Sequence, residues 1–120
     1  MNRKLSRKKA SRDHLLRNLL VSLVLYEQID TTEPKAKEIK RRFDMIIARN
    51  KTGNLAAIRN VRSIFFDRKA AEKVINELLP RYTNRNSGFA KSYHLKNRIG
   101  DNAAMMRLVL VDRKVFAALG

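Results

Sequence analysis

Between Leu78 and Gly100 the chain carries no acid, while Arg81, Arg85, Lys91, Lys96 and Arg98 alternate with Tyr82, Asn84, Asn86, Phe89 and Tyr93. Guanidinium and ammonium groups neutralise phosphates, amides bond to sugars or bases, and aromatic rings stack on unpaired bases. That mixture suits a nucleic acid better than charge alone would. A plainer reading stands beside it: Phe89 and Tyr93 are expected first as core side chains facing the helices, with stacking as the second reading. The cations of this stretch have no nearby acids in the sequence to cancel them under either reading.

No comparable set of residues points to catalysis. The two histidines, His14 and His94, have neither a carboxylate nor a second histidine at metal-ligand spacing. Ser11 and His14 stand three apart at a helix start, where capping accounts for the serine. Glycines at 53, 88, 100 and 120 build neither phosphate-cradling glycine pattern. The absence of cysteine excludes disulfides, thiolate zinc sites, iron–sulfur clusters and cysteine nucleophiles, and it fits a reducing cytosol. The expectation is a protein with no catalytic residue, no metal or other cofactor, and no small-molecule substrate.

The charge balance agrees. Lysine and arginine number 27 against 11 acids, a formal +16 on 120 residues, with a pI near 11.0. Self-repulsion on that scale opposes a compact chain, so a polyanionic partner is expected, nucleic acid ahead of an anionic membrane surface. Disorder does not fit, because 44% of the residues are hydrophobic and they recur periodically. The basic start followed by "LLRNLLVSLVLY" mimics a secretory signal, but Arg17, Asn18 and Ser22 interrupt it and it is far too short to span a bilayer. A cytoplasmic protein without membrane contact is the reading.

The elements that would carry these cations follow from periodicity. Residues 1 to 10 read as a basic tail holding Arg3, Lys4, Arg7, Lys8 and Lys9, and residues 11 to 120 as one globular domain. Ser11 is expected to cap a first helix, with Leu15, Leu16, Leu19, Leu20, Leu23 and Val24 inward and Arg12 and Arg17 among its polar residues. It ends near Tyr26. "QIDTT" is a short strand. A second helix runs from Glu33 to about Lys51, capped by Thr31 or Thr32, with Pro34 in its first turn and Ala36, Ile39, Phe43, Ile46 and Ile47 in one apolar stripe. Lys35, Lys37, Lys40, Arg41, Arg42 and Arg49 cover the remaining circumference.

Gly53 then breaks the chain, Asn54 caps a third helix with Leu55, Ile58, Val61, Ile64 and Phe65 inward, and Asp67 caps a fourth that Pro80 stops. Alternation from Phe89 to Lys96 and the apolar "MMRLVLV" give two more strands, joined through "GDN" at 100 to 102. Four helices packed on a small three-stranded sheet result, an α+β fold. The helix–Gly53–helix segment raises a rival reading, a free-standing DNA- or RNA-binding regulator probing a groove with Arg59, Asn60 and Arg62. The spread of charge over tail, helices and hairpin favours embedding in folded RNA instead.

"RKLSR" at 3 to 7, "RN" at 17 and 18, "SL" at 22 and 23, "TTEPKAKEIKRR" at 31 to 42, "NELLPRY" at 76 to 82 and "GDNAAM" at 100 to 105, in this order and spacing, resemble the bacterial large-subunit ribosomal protein family L seventeen. The resemblance covers essentially the whole chain. It implies a two-layer α+β fold in the order α-β-α-α-α-β-β. It also implies a structural, non-catalytic component of the ribosome that binds large-subunit rRNA on the exit-tunnel side, beside other large-subunit proteins. Ser11 and Tyr26 stand where the family commonly has histidines, Ser87 replaces the first of two glycines in the hairpin, and the basic head before "RKLSR" is shorter than usual. Serine tolerates a positive φ less well than glycine, so the Ser87 change bears on the loop geometry. Expected RNA contacts are Arg3, Lys4, Arg7, Lys8, Lys9, Arg12, Arg17, Lys35, Lys37, Arg41, Arg42, Arg81, Arg85, Lys91, Lys96 and Arg98, made to phosphates and sugars.

Overall fold

A computed structural model describes residues 9 to 112. Helix α1 (Lys9–Tyr26) leads into strand β1 (Gln28–Thr32), then α2 (Glu33–Asn50), α3 (Leu55–Ile64), α4 (Arg68–Lys73), α5 (Leu79–Arg81) and strands β2 (Ala90–His94) and β3 (Met105–Leu110). A π-helical stretch (Val74–Leu78) joins α4 to α5 without a break, so the two form one fourth helix. The sheet is antiparallel in the order β1-β3-β2, which gives the two-layer α+β architecture that the periodicities imply.

Side-chain alternation makes the sheet one-sided. Met106, Leu108 and Leu110 of the central strand are buried toward the helices, together with Ile29 and Thr31 of β1 and Ala90 of β2. Against them α2 sets Ala36, Ile39, Phe43 and Ile47, all fully buried, and α1 adds Leu16, Leu23 and Val24. The opposite face, carrying Asp30, Arg107 and Tyr93 in one row across the three strands, has no helix over it among the described residues. An antiparallel sheet tolerates one solvated face, which a parallel one does not.

Helix ends differ from expectation where tertiary partners replace local ones. Helix α1 starts at Lys9, two residues before Ser11, so that serine lies inside the helix. Thr32 occupies the cap of α2 but makes no side-chain cap bond, while Thr31 is buried in the sheet opposite Met106. Strand β1 stays paired to β3 through Thr32, and the Glu33 amide at the first helical position continues that pairing by donating to the carbonyl of Ala104, just ahead of β3, at 3.0 Å. Asn54 and Asp67 cap as expected, accepting from the amides of Ala57 and Ala70 at 2.9 and 3.1 Å.

Pro80 lies inside the last turn of the fourth helix, which ends one residue later at Arg81. The helix widens into the π turn ahead of it, where the Leu79 amide donates to the Val74 carbonyl, and the wider turn admits a proline ring that an α-helical interior excludes. The expected inward stripe of α3 holds at Val61 and Phe65, but Leu55 is exposed because it lies in the first turn, beyond the edge of the core. In the hairpin loop the positive φ falls on Gly88, at +67°, and not on Ser87, so the serine introduces no backbone strain there.

Candidate nucleic-acid interface

The carboxylates decide which cations remain for a partner. Glu27 follows α1 with a left-handed backbone, φ 59°, a conformation more usual for glycine at a helix C-terminus. Its buried carboxylate accepts from Arg81 and lies 3.0 Å from the Lys73 ammonium, which also donates to the Leu25 carbonyl at the end of α1. Burial opposes the charge on Glu27, but the hydrogen bonds from Arg81 and Lys73 outweigh it and hold the carboxyl below its ordinary 4.5. Arg81, expected as an RNA contact, is therefore an internal strut with its side chain 9% exposed.

A second buried carboxylate, Glu38 on α2, accepts from Arg41 and from Arg42, the latter at 3.2 Å. Burial again opposes ionisation, and the two guanidiniums again hold the carboxyl below its ordinary value. Arg42 also lies 3.7 Å from Asp13 on α1. On the surface Glu33 pairs with Lys37, Asp44 with Lys40, Glu72 with Arg62, Asp101 with Arg98 and Asp30 with Arg107. Arg98, followed by the Ala103 amide, draws the exposed Asp101 carboxyl down to about 2. Arg17, Lys35, Arg49, Arg59, Lys91 and Lys96 have no carboxylate partner among the described residues.

Four arginines converge. Arg17 of α1 and Arg41, Arg42 and Arg49 of α2 line a cleft of about 490 Å³, whose far wall is Asn60, Ser63 and Ile64 of α3 and whose floor includes Leu20 and Ile46. Arg41, Met45 and Arg49 repeat at four-residue steps and so form one edge of α2, with Arg41 donating to the Met45 sulfur at 3.3 Å. Buried Asn50 donates to the Ile46 carbonyl at 2.7 Å and accepts from Asn60 at 3.1 Å, which ties α3 to the end of α2. Glu38 and Asp13 pair with Arg41 and Arg42, and against four guanidiniums they leave the cleft positive. Its chemistry is the binding of several phosphate oxygens at once by planar, multidentate donors.

The other expected contacts lie elsewhere. Lys35 and Lys37 sit at the start of α2, about 20 Å along the helix axis from Arg49. Arg85 folds onto its own loop, donating to the carbonyls of Ser87 and Gly88, while its carbonyl accepts from Lys51 at 2.6 Å. Lys91 and Lys96 are exposed along the hairpin, and Arg98 is exposed but paired. Lys9 and Arg12 fall in the first turns of α1, and Arg3, Lys4, Arg7 and Lys8 lie outside the described residues. Arg49, Asn60 and Ser63 complete the cleft without having been counted among the expected contacts. The two four-residue steps from Arg41 through Met45 to Arg49 were a usable signal for the first, whereas the other two reach the cleft only through the packing of α3.

The groove-reading alternative loses its side chains to internal bonds. Asn60 is held by Asn50, and Arg62 pairs with Glu72 at 3.1 Å, which leaves Arg59 alone on the outer face of α3. Phe89 is fully buried and packs against Tyr82 at a centroid distance of 5.2 Å, but Tyr93 is 51% exposed. Phe89 thus takes the core position expected of it, whereas Tyr93 is left on the solvated face. Among the described residues no group of His, Asp or Glu is placed to hold a metal, and no helix is long and apolar enough to cross a membrane.

Comparison with known proteins places this arrangement in a family. The profile described as Ribosomal protein L17 matches residues 15 to 111. The chain is 41% identical over 115 residues to the large ribosomal subunit protein bL17 of Rickettsia bellii, covering 96% of this chain and 81% of that one. It is 37% identical over 112 residues to the bL17 protein of Syntrophotalea carbinolica, covering 93% and 72%. A chain with this fold and these relatives belongs to the L17 family of large-subunit ribosomal proteins.

Proposed function

We propose that the chain is a non-enzymatic structural component of the cytoplasmic large ribosomal subunit, gripping rRNA phosphates from several directions and touching neighbouring large-subunit proteins. The observation that carries this reading is the convergence of Arg17, Arg41, Arg42 and Arg49 in one cleft between helices. Cations on packed helices hold their positions before RNA arrives, so less ordering entropy opposes binding than for cations on loops. Lys35 at the head of α2, Lys91 and Lys96 on the hairpin, and the basic residues before Asp13 extend the grip. Arg81 is excluded from it by its buried ion pair. No cofactor, membrane or small-molecule substrate enters this role.

The test is sedimentation of a gentle lysate. The chain is expected to travel with large subunits, and reversing Arg17 and Arg49 together to glutamate is expected to release it while its melting temperature stays unchanged. If about 6 to 10 phosphates are neutralised, affinity for isolated rRNA falls by roughly three to five decades between 50 and 200 mM salt. Unaltered incorporation of the charge-reversed protein, or salt-independent binding, overturns the reading.

A further inference from the structure

The open face of the sheet carries chemistry that the arginine cleft does not. Tyr93 on β2 stands directly opposite Arg107 on β3, which stands opposite Asp30 on β1. Arg107 donates to both Asp30 oxygens, at 2.7 and 3.1 Å, so its guanidinium plane is held in place and its charge is balanced. Tyr93 remains 51% exposed, although a phenol ring of this size is usually covered when a core is within reach. Lys91 lies two residues before it on the same face, exposed and without a carboxylate partner among the described residues. Val109 and Met105 beside them are half-buried.

Resting on the reading of this chain as an RNA-binding protein, we propose that the sheet face centred on Tyr93 is a platform for an unpaired RNA base, with Lys91 holding the phosphate of an adjacent nucleotide. An exposed ring flanked by a fixed guanidinium and a free ammonium matches the π-face and the phosphate of one nucleotide, independent of base identity. A protein partner fits less well. The exposed lysine on edge strand β2 disfavours the addition of another strand. The one carboxylate on the row, Asp30, is already neutralised by Arg107.

The chain has no tryptophan, so the full-length Tyr93→Trp variant provides a single emitting indole at the platform. Titration with an unstructured oligoadenylate at low salt is expected to quench that indole saturably, in step with the anisotropy of the labelled RNA. A duplex of equal length is expected to bind without quenching. Tyr93→Leu, which keeps the strand and its fold, is expected to weaken the single strand by roughly tenfold and leave the duplex unchanged. Single-strand binding with no quenching, or full affinity in the leucine variant, overturns the platform while the RNA-binding reading survives. Failure of both RNAs to bind overturns the two together. In assembled subunits, a photocrosslinker placed at position 93 is expected to capture rRNA, and capture of a ribosomal protein instead overturns the platform.

Discussion

Two regions of this molecule use the same residue type for opposite ends. At the junction of α1, β1 and the fourth helix, Arg81 and Lys73 close on the buried Glu27 carboxylate and are lost to solvent. In the cleft between α1, α2 and α3, Arg17 and Arg49 face outward with no carboxylate opposite them among the described residues, while Arg41 and Arg42 share Glu38 and Arg42 also meets Asp13. A cation is therefore structural or available according to where an acid is buried, and not according to its own position in a basic run. Eleven acids in the chain are too few to cancel 27 cations, and the fold spends two of them, Glu27 and Glu38, inside.

The comparison breaks most visibly at its structural pole. Glu27→Gln strands two cations of which little is exposed, and it is expected to destabilise the fold by about 3 to 5 kcal/mol, read by thermal or urea unfolding. RNA affinity of the protein that remains folded should be unchanged. The two glutamates also set an acid limit. Both carboxyls sit below 4.5 in the folded state, so their stabilisation is complete above the unfolded value and is lost as pH falls from 4.5 through the folded values. Unfolding measured across that range should be less steep in Glu27→Gln than in the parent, because one of the two groups no longer titrates.

At the other pole the sign reverses. Arg17→Ala with Arg49→Ala is expected to leave stability untouched, to weaken rRNA binding by one to two decades near 100 mM salt, and to lower the slope of log affinity against log salt by about two. A loss of stability in this double variant would dissolve the distinction between the regions. The smallest effect belongs to a cation that is neither buried nor in the cleft. Lys37→Ala removes an exposed pair with Glu33 at 2.8 Å and should leave the urea unfolding midpoint almost unmoved.

Much of the scaffold was legible in the residues. Ala36, Ile39, Phe43, Ile46 and Ile47 recur with the helical period and are all buried, and "QIDTT" and "MMRLVL" pair as strands. The caps at Asn54 and Asp67 were equally plain, because a cap is satisfied within three residues. Pro80 marked the end of the fourth helix to within one residue, the π turn ahead of it making room for the ring before the helix ends at Arg81. Thr32 misled because, although it stands at the cap of α2, its side chain makes no cap bond while β1 stays paired to β3 through it. Of the candidate site, the edge of α2 from Arg41 to Arg49 could be read from spacing, but its closure by Arg17, Asn60 and Ser63 could not.

Periodicity, turn residues and a cation surplus act over a few residues or over the whole composition, and from these the chain's elements, its α+β class and the expectation of a polyanionic partner were readable, while the ordered motif blocks carried the family likeness. The division of labour among the cations is of another kind. Glu27 selects Arg81 from 54 positions away, Asp30 selects Arg107 from 77, and Tyr93 parts from Phe89 because β2 leaves one on the solvated face and the loop before it sends the other into the core. Pairing across such distances depends on which groups share a low-dielectric interior, and that interior exists only once the helices and sheet have closed over it.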